Sequence, residues 1–566
     1  MEEPPSVQSI APQNIVVIHP GSLNVRIGRA SDLDPVSELH VIARRRKIGG
    51  QTHRDQILPS LVSKNRELTE VLEDVRLQVS HTVQSCLQSD GRRRYATPPQ
   101  QIAAFNRRSE PTKVEVPTTN NLIGVAKWIK PEGDVVVGND VLKLDPSLDF
   151  NIHFPYRRGD FNVHSGPGGS VSAVIADLEV IWGYLLTVKL GLPKSQRKQC
   201  RAVLVIPDVY NRQYLKELMT LLLSDLGFGG CFLLQDHVAA TFGAGLGVAC
   251  VVDVGDQKTS VSCVEDGISH RNTRIRMEYG GGDITHIFHW LLLKCAFPYK
   301  TCDSRNYLDA MLLHQLKQDF CHVNLDVCGS HEKSFAIQKV NDAIHQYTLM
   351  LGDECVVAPL SLFFPELFSM TGIKTSLTQK RSAGDSEDPF DDHFIRETGR
   401  KGAKENLETA GGTDISAVGD LPGGDDDIVV DTLEGGAGQT SAGEFEISPG
   451  KILGLDQAVL QSIERCSSED MKRKMYNCIL VVGGGMKFAG IAAYLQNRLH
   501  LQVPFAYRSD QTDIVLTPKD TDPQLTAWKG ASILSCLESS HELWIAPDEW
   551  KRIGVKILRE RAPFMW

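Results

Sequence analysis

The sequence predicts an α/β fold with two duplicated lobes, and three segments carry this prediction. Two of them share one shape, in which a short apolar strand enters a tight glycine-containing turn and returns as a second strand. The third is an apolar strand that ends in three consecutive glycines. A hairpin that occurs twice indicates duplication, and 566 residues at 42% hydrophobic suffice to bury two lobes with residues left for insertions.

The more informative hairpin spans residues 251–267, VVDVGDQKTSVSCVEDG. Apolar residues before the turn and alternating ones after it predict two paired strands. Gly255 lets backbone amides approach an anion closely, and the carboxylates of Asp253 and Asp256 could hold a metal ion through water. The same pattern suits an ordinary hairpin turn, so this turn by itself does not identify a nucleotide site.

The other two segments lie near the two ends of the chain. The strand IVVI at 15–18 enters the turn HPGS at 19–22 and returns through 25–28. The strand ILVV at 479–482 runs into GGG at 483–485, before a helical pattern. Bare glycines let a flat ring or a phosphate lie against the backbone, and a glycine-lined turn between strand and helix is the alternative.

Together these segments resemble the actin superfamily, whose ATPases have two duplicated lobes around a nucleotide cleft, and within it the nuclear actin-related proteins. Further segments that carry the resemblance are PDVYNRQYLKELM from 207, WKGASIL from 528 and the tail ILRERAPFMW. The resemblance runs from Ile15 to about Phe368 and from about Lys451 to the end of the chain.

The resemblance divides the chain into an actin-like core in two parts, 15–375 and 451–566, with a flexible tail at 1–14 and an insertion at 376–450. Residues 381–450 contain 17 acidic and 5 basic side chains, a net charge of −12 in a chain whose total is −10. This stretch is also rich in Gly, Ser and Thr, which predicts a disordered acidic insertion. An acidic clamp for a basic partner is the alternative.

A second, basic insertion is predicted at about 90–117. It carries the runs 92–94 (RRR) and 107–108 (RR), and a further run, RRRK, lies at 44–47. Such clusters can neutralise DNA phosphates, whereas the alternative is an ordinary solvated surface. Aromatic residues do not alternate with the charges, so any DNA binding is expected to be non-sequence-specific.

The resemblance implies that the core binds ATP, with or without Mg²⁺. It assigns no catalytic residue and no metal ligand. It places the nucleotide against Ser22, Leu23, Arg26, Asp253, Val254, Gly255, Asp256, Gly282, Lys317, Gly483, Gly484 and Gly485.

Several positions depart from the pattern of an active ATPase. His19 stands where the family has an Asp near the metal, and a neutral imidazole is a poor replacement for a carboxylate beside a hard cation. Ser260 replaces a histidine that helps to position water, while Gln235 matches a water-orienting glutamine. Arg26 replaces a phosphate-contacting lysine and keeps its charge in a different geometry. We therefore expect no enzyme, or at most a very weak ATPase.

The function that the resemblance implies is that of a non-catalytic scaffold in a nuclear INO-eighty-type chromatin-remodelling complex. Its expected partners are actin, another nuclear actin-related protein, a long helix of the remodelling ATPase, histones or nucleosomes, and linker DNA. Its expected processes are transcription regulation and DNA repair. An active ATPase or sugar-kinase-like enzyme and a filament-forming cytoskeletal protein are the alternatives, although a long insertion disfavours regular stacking.

The composition argues against two other classes of protein. The sequence has no signal-peptide pattern and no uninterrupted apolar run of the roughly 18 residues that a membrane span needs, so we expect a soluble, intracellular protein without a membrane partner. The 13 cysteines fit no common zinc-binding spacing and are expected to be reduced thiols.

Overall fold

The computed structural model describes residues 10–63, 66–116, 122–372, 375–379, 445–449, 452–508 and 512–562. Most of the predicted acidic insertion at 376–450 and most of the predicted tail at 1–14 lie outside these residues.

The strands, in chain order, are β1 Ile15–Pro20, β2 Asn24–Arg29, β3 Val36–Leu39, β4 Ile42–Arg45, β5 Thr112–Val114, β6 Leu122–Gly124, β7 Val135–Val137, β8 Phe150–His153, β9 Tyr156–Arg157, β10 Asp160–Phe161, β11 Arg201–Ile206, β12 Cys231–Gln235, β13 Val248–Val254, β14 Thr259–Glu265, β15 Ile268–Ser269, β16 Ile275–Met277, β17 His331–Gln338, β18 Ile344–Leu351, β19 Thr375–Gln379, β20 Phe445–Pro449, β21 Cys478–Val482 and β22 Asp513–Val515.

The α-helices are α1 Arg66–Ser85, α2 Pro99–Arg108, α3 Val171–Tyr184, α4 Lys194–Arg197, α5 Arg212–Thr220, α6 Asp236–Ala244, α7 Gly281–Lys294, α8 Tyr307–Phe320, α9 Glu354–Leu360, α10 Leu455–Glu464, α11 Glu469–Asn477, α12 Ile491–Gln502, α13 Thr526–Ser535, α14 Pro547–Ile553 and α15 Leu558–Arg561. Helices α3 and α5 continue into single π-helical turns at Leu185–Lys189 and Leu221–Asp225.

The two predicted hairpins are the centres of two sheets with one topology. In the first sheet the strand order is β12-β11-β1-β2-β3, and in the second the matching strands run β22-β21-β13-β14-β16. In both, the first strand of the hairpin pairs in parallel with a later strand and antiparallel with its hairpin partner. The prediction of an α/β fold with duplicated lobes is therefore confirmed.

Both sheets are covered on each face, which explains the continuous apolar runs in their central strands. Val16 and Ile18 of β1 pack into the outer core of the first lobe, while Ile15 and Val17 face a core shared with β13 and β21. This shared core contains α6 and α13. A Cβ on Gly530 would lie 1.7 Å from the carbonyl oxygen of Ala239, so glycine is required where these helices touch.

The described part of the basic segment, residues 90–116, is folded into the second lobe. Helix α2 buries Ile102 and Ala103, and β5 pairs with β18 in a four-stranded sheet. Arg94 of the predicted basic face is buried against Asp353, with 3.0 Å between Nη2 and Oδ1, whereas Arg93 is exposed.

Two strands lie at the ends of the range assigned to the acidic insertion. Strands β19 and β20 pair antiparallel with each other, and β19 pairs with β16, so both extend the sheet of the second lobe. Residues 380–444 between them lie outside the described part of the chain.

Within the part of the chain that the structure describes, one helical stretch, Val171–Lys189, is long and apolar enough to cross a membrane by length and composition alone. Leu178, Ile181 and Trp182 of this stretch are fully buried in the first lobe, as expected of a core helix. All 13 cysteines are free, in agreement with the expectation of reduced thiols.

Candidate functional site

A cavity lies where the turns of the two hairpins and the three glycines after β21 come together. Both lobes contribute to its lining, together with the start of α7 and one face of α8. Ten of the twelve residues that the sequence assigned to the nucleotide line it: Ser22, Leu23, Arg26, Asp253, Gly255, Asp256, Lys317, Gly483, Gly484 and Gly485. The sequence thus located this cavity, although the individual nucleotide contacts stay a prediction.

The other two assigned residues lie behind the cavity surface. Val254 is fully buried in the core of the second lobe, and its carbonyl oxygen accepts a hydrogen bond from the Gly485 amide at 2.8 Å. The Gly282 amide donates to the carbonyl oxygen of Asp256 at 2.7 Å. Both residues therefore support the backbone of the turns that line the cavity.

The glycines are needed for backbone packing within the protein itself. The Gly281 amide donates to the carbonyl oxygen of Gly255 at 2.9 Å, which ties α7 to the hairpin turn. A Cβ on Gly485 would lie 2.5 Å from the Gly255 oxygen, and one on Gly483 would lie 2.3 Å from the Val254 oxygen. Gly483 also has a φ of 91°, a conformation that favours glycine.

A lysine that the sequence did not predict, Lys258, also lines the cavity. Lys258 Nζ lies 2.6 Å from Asp236 Oδ2 and 3.1 Å from Asp253 Oδ2. Burial alone would lower the pKa of Lys258, but the charges of both carboxylates and hydrogen bonds to them hold it above its ordinary value. The ammonium is therefore charged at neutral pH.

The sequence offered a local signal for Lys258 and Asp236, because both lie close to residues that it had already indicated. Lys258 follows two residues after Asp256 in the hairpin that the sequence analysis singled out, and Asp236 directly follows Gln235. The pairing was invisible because Asp236 begins α6 while Lys258 directly precedes β14, and only the shared core between the lobes brings these elements together.

Two further cations line the cavity. Arg26 Nη2 donates to Gln524 Oε1 at 3.2 Å, which links the first hairpin to the loop before α13. Lys317 Nζ donates to the carbonyl oxygen of Gly281 at 2.8 Å. Burial lowers the pKa of Lys317 to about 8, against the opposing charge of Asp256, so Lys317 is mostly protonated at neutral pH. Three cations and bare glycine backbone suit an anionic ligand.

His19 and Asp256 also line the cavity, and both are partly buried. Burial and the charge of Arg26 lower the pKa of His19 to about 3, so its ring is neutral, and its Nδ1 has no hydrogen-bond partner among the described residues. Burial raises the pKa of Asp256 to about 6, against the charge of Lys317. The first hairpin therefore presents a neutral ring where a carboxylate would supply negative charge.

Neither group considered for positioning water lines the cavity. Gln235 Nε2 donates to Asp208 Oδ1 at 2.8 Å, and Gln235 is buried behind the turns. Ser260 Oγ is hydrogen-bonded to His237 Nε2 at 2.9 Å, and that ring also contacts the hydroxyl of Ser262 at 2.7 Å. No sequence pattern pointed to His237, whose imidazole lies behind the cavity with Ser260 and Ser262.

Comparison with known proteins places these features in context. A family model described as Actin matches residues 158–563. The chain is 56% identical to "Actin-related protein 8" of Aedes aegypti, with 98% of each chain covered. It is 41% identical to "Actin-related protein 8" of Bos taurus, covering 98% of this chain and 92% of that protein. A solved structure, "Human actin-related protein Arp8 in its ATP-bound state", superposes with a TM-score of 0.82 at 38% identity, covering 99% and 98%.

Proposed function

The chain belongs to the actin family and, within it, to the actin-related protein 8 group, and we propose on this basis that it is a non-catalytic, ATP-binding subunit of a chromatin-remodelling complex. ATP is the ligand named for the solved relative. The cavity supports the same ligand here, because Arg26, Lys258 and Lys317 supply positive charge beside glycine backbone that a phosphate or a purine ring can approach.

The observation that carries the non-catalytic assignment is the placement of Gln235. Hydrolysis of a phosphoanhydride needs a group that orients the attacking water next to the terminal phosphate. Here the Gln235 amide is hydrogen-bonded to Asp208 behind the cavity, and Ser260 is engaged by His237. A bound nucleotide would then act as a structural ligand that stabilises the closed pair of lobes by mass action.

We further propose that the protein works in the nucleus, in an INO-eighty-type complex that acts in transcription regulation and DNA repair. It would dock on a long helix of the remodelling ATPase beside actin and another nuclear actin-related protein, and it would contact nucleosomes through histones and linker DNA. Membership of the actin-related protein 8 group supports this proposal, because the sequence resemblance implies the same complex, partners and processes.

The exposed charges favour one part of the surface for DNA. Arg107 and Arg108 are exposed in the last turn of α2. By contrast, Arg44 and Arg45 form ion pairs with Asp177 at 2.6 Å and with Asp134 at 2.8 Å. Exposed arginines can neutralise phosphates, so we propose that the non-sequence-specific DNA contact lies at the end of α2.

The first experiment measures nucleotide content and turnover. The purified protein is denatured, the released nucleotide is identified by chromatography, and phosphate release is followed on native protein with added ATP. Bound ATP without turnover supports the proposal. Sustained phosphate release would overturn the non-catalytic assignment, and a protein that neither retains nor binds ATP would overturn the nucleotide assignment.

The second experiment tests the complex. The chain is co-expressed with actin, a second nuclear actin-related protein and the long helix of a remodelling ATPase, and binding of the assembly to nucleosomes is measured at several salt concentrations. Replacing both Arg107 and Arg108 by Ala should reduce the salt dependence by about one to two counterions, whereas Arg45→Ala, at an already paired position, should leave it unchanged. Failure to assemble, or self-assembly into sedimenting filaments, would contradict the proposal.

A further inference from the structure

We propose that the ammonium of Lys258 takes the place of the divalent cation in the nucleotide site, so that the polyphosphate is bound without Mg²⁺. This inference rests on the proposed binding of ATP. It follows from the contacts of two cavity carboxylates, Asp236 and Asp253, which already form ion pairs with Lys258 within the folded chain.

The geometry gives Lys258 two of the contacts that a bound cation would make. Its Nζ lies 2.6 Å from Asp236 Oδ2 and 3.1 Å from Asp253 Oδ2, and both carboxylates line the cavity with it. An ammonium group has three N–H donors, and these carboxylates accept two of them. The third is left for a phosphate oxygen, which makes Lys258 a bridge between two protein carboxylates and the polyphosphate.

The remaining groups do not fit Mg²⁺. This ion requires near-octahedral oxygen coordination and is usually held by one or two carboxylates together with substrate phosphates. Asp236 and Asp253 are both paired with Lys258, whose charge would repel a dication at the same place. The first hairpin offers His19, whose neutral ring is a poor ligand for a hard cation.

The third carboxylate of the cavity does not change this conclusion. Asp256 lies beside Gly282 at the start of α7 and is opposed by Lys317. Gln235, another oxygen donor of this region, is buried behind the turns with its amide hydrogen-bonded to Asp208. Without Lys258, Asp236 and Asp253 would repel the phosphates. The shared ammonium offsets part of this repulsion by pairing with both carboxylates, although its single positive charge cancels only one of their two negative charges.

The test compares binding of a fluorescent ATP analogue to nucleotide-free protein in excess Mg²⁺ and in excess EDTA. The magnesium content of ATP-loaded, desalted protein is measured by mass spectrometry on the same preparation. We expect dissociation constants that differ by less than about tenfold between the two conditions, and far less than one Mg²⁺ for each bound nucleotide. Binding that is lost in EDTA, with one Mg²⁺ for each nucleotide, would overturn the inference and leave the ATP site intact.

Variants at position 258 test the role of the ammonium directly. Lys258→Met should weaken binding in EDTA by about tenfold or more, and Lys258→Arg, which keeps the charge, should retain most of it. The double variant His19→Asp with Lys258→Met supplies a carboxylate and removes the ammonium, and should therefore bind ATP more tightly in Mg²⁺ than in EDTA. Equal affinity of wild type and Lys258→Met in EDTA would contradict the inference.

Thermal unfolding without nucleotide shows whether each variant is folded. If Lys258→Met does not fold, the magnesium content and the EDTA titration of the wild-type protein decide the question alone. Absence of ATP binding in both Mg²⁺ and EDTA would overturn the proposed nucleotide function and this inference together, so the two failures are distinguishable.

Discussion

Gln235 Nε2 lies 2.8 Å from Asp208 Oδ1, and this hydrogen bond joins the glutamine to a buried polar network behind the nucleotide cavity. The other carboxylate oxygen of Asp208 accepts a hydrogen bond from Ser269 Oγ at 2.8 Å, and Arg274 Nε lies 3.6 Å from it. Burial acts to raise the pKa of Asp208, but the charges of Arg274 and His237 hold it below its ordinary value. A glutamine that donates a hydrogen bond to this buried carboxylate has a structural role.

We therefore expect Gln235→Ala to lower the free energy of unfolding by about 1–3 kcal/mol, because it removes a donor to a buried carboxylate. Phosphate release should not change. Urea-induced unfolding and a phosphate assay measure the two effects, and Gln199→Ala, at an exposed position, is the control. A variant with unchanged stability and reduced phosphate release would assign a catalytic role to Gln235.

A second prediction concerns the glycines after β21. Gly485→Ala would place a Cβ 2.5 Å from the carbonyl oxygen of Gly255, so the turn of the second hairpin must shift. We expect a loss of about 1–3 kcal/mol in unfolding free energy and weaker ATP binding. Gly133→Ala is the control, since its Cβ would meet nothing within 4 Å, and its effect should stay within about 0.5 kcal/mol. An unchanged affinity in Gly485→Ala would show that the turn tolerates the shift.

The sequence was sufficient to predict the lobes because their strands carry local signals. Apolar runs and glycine turns in the two hairpins, and the glycines at 483–485, follow from rules that act over a few residues. The contact between Lys258 and Asp236 could not be predicted in this way, since it depends on how α6 packs against the second sheet. For the same reason, the sequence does not show that Val254 and Gly282 support the turns from behind. Their contacts with the nucleotide stay a prediction.

The third prediction follows from His40, whose ring is held in one neutral form. Its Nδ1 donates to the carbonyl oxygen of Gly21 at 2.9 Å, and its Nε2 accepts from Trp182 Nε1 at 3.2 Å. Burial lowers the pKa of His40 to about 4 from an ordinary value of 6.5. Protonation would break the contact with Trp182 and disturb the turn of the first hairpin.

Since the folded pKa is the lower one, the unfolded chain binds more protons below pH 6.5, and stability must fall as the pH falls from about 6.5 towards 4. At about pH 5 the loss due to His40 should be about 2 kcal/mol. His40→Gln removes this term, so its stability deficit relative to wild type should shrink by that amount between about pH 7.5 and pH 5. The exposed His81→Gln is the control, and a constant deficit for His40→Gln would contradict the assignment.

The basic segment at 90–117 shows how far charge patterns can be trusted. Three successive arginines at 92–94 predict one exposed face. In the structure these three residues differ in burial, which their sequence does not reveal. Arg94 fits into a polar pocket formed by the loop after α8 and the start of α9, whereas Arg92 and Arg93 are exposed. Which member of such a run turns inward depends on tertiary packing, and no periodicity in the run itself specifies it.

The last prediction compares the effects on stability of replacing the buried Arg94 and the exposed Arg93. Arg94 Nη1 donates to the carbonyl oxygen of Val327 at 2.8 Å, and Nη2 lies 3.0 Å from Asp353 Oδ1. Burial raises the pKa of Asp353, and the charge of Arg94 opposes this. Arg94→Met would leave the carboxylate without its cation, and we expect a loss of about 3–5 kcal/mol in unfolding free energy.

The neighbouring Arg93→Met is the matched control, because it removes the same charge from an exposed side chain and should change stability by less than about 0.5 kcal/mol. Urea-induced unfolding of both variants measures the difference. The loss in Arg94→Met should also shrink at low pH, where protonation of Asp353 removes the unpaired charge. Equal stabilities of the two variants would mean that another group compensates the charge of Asp353. The stabilising role assigned to the ion pair between Arg94 and Asp353 would then be wrong.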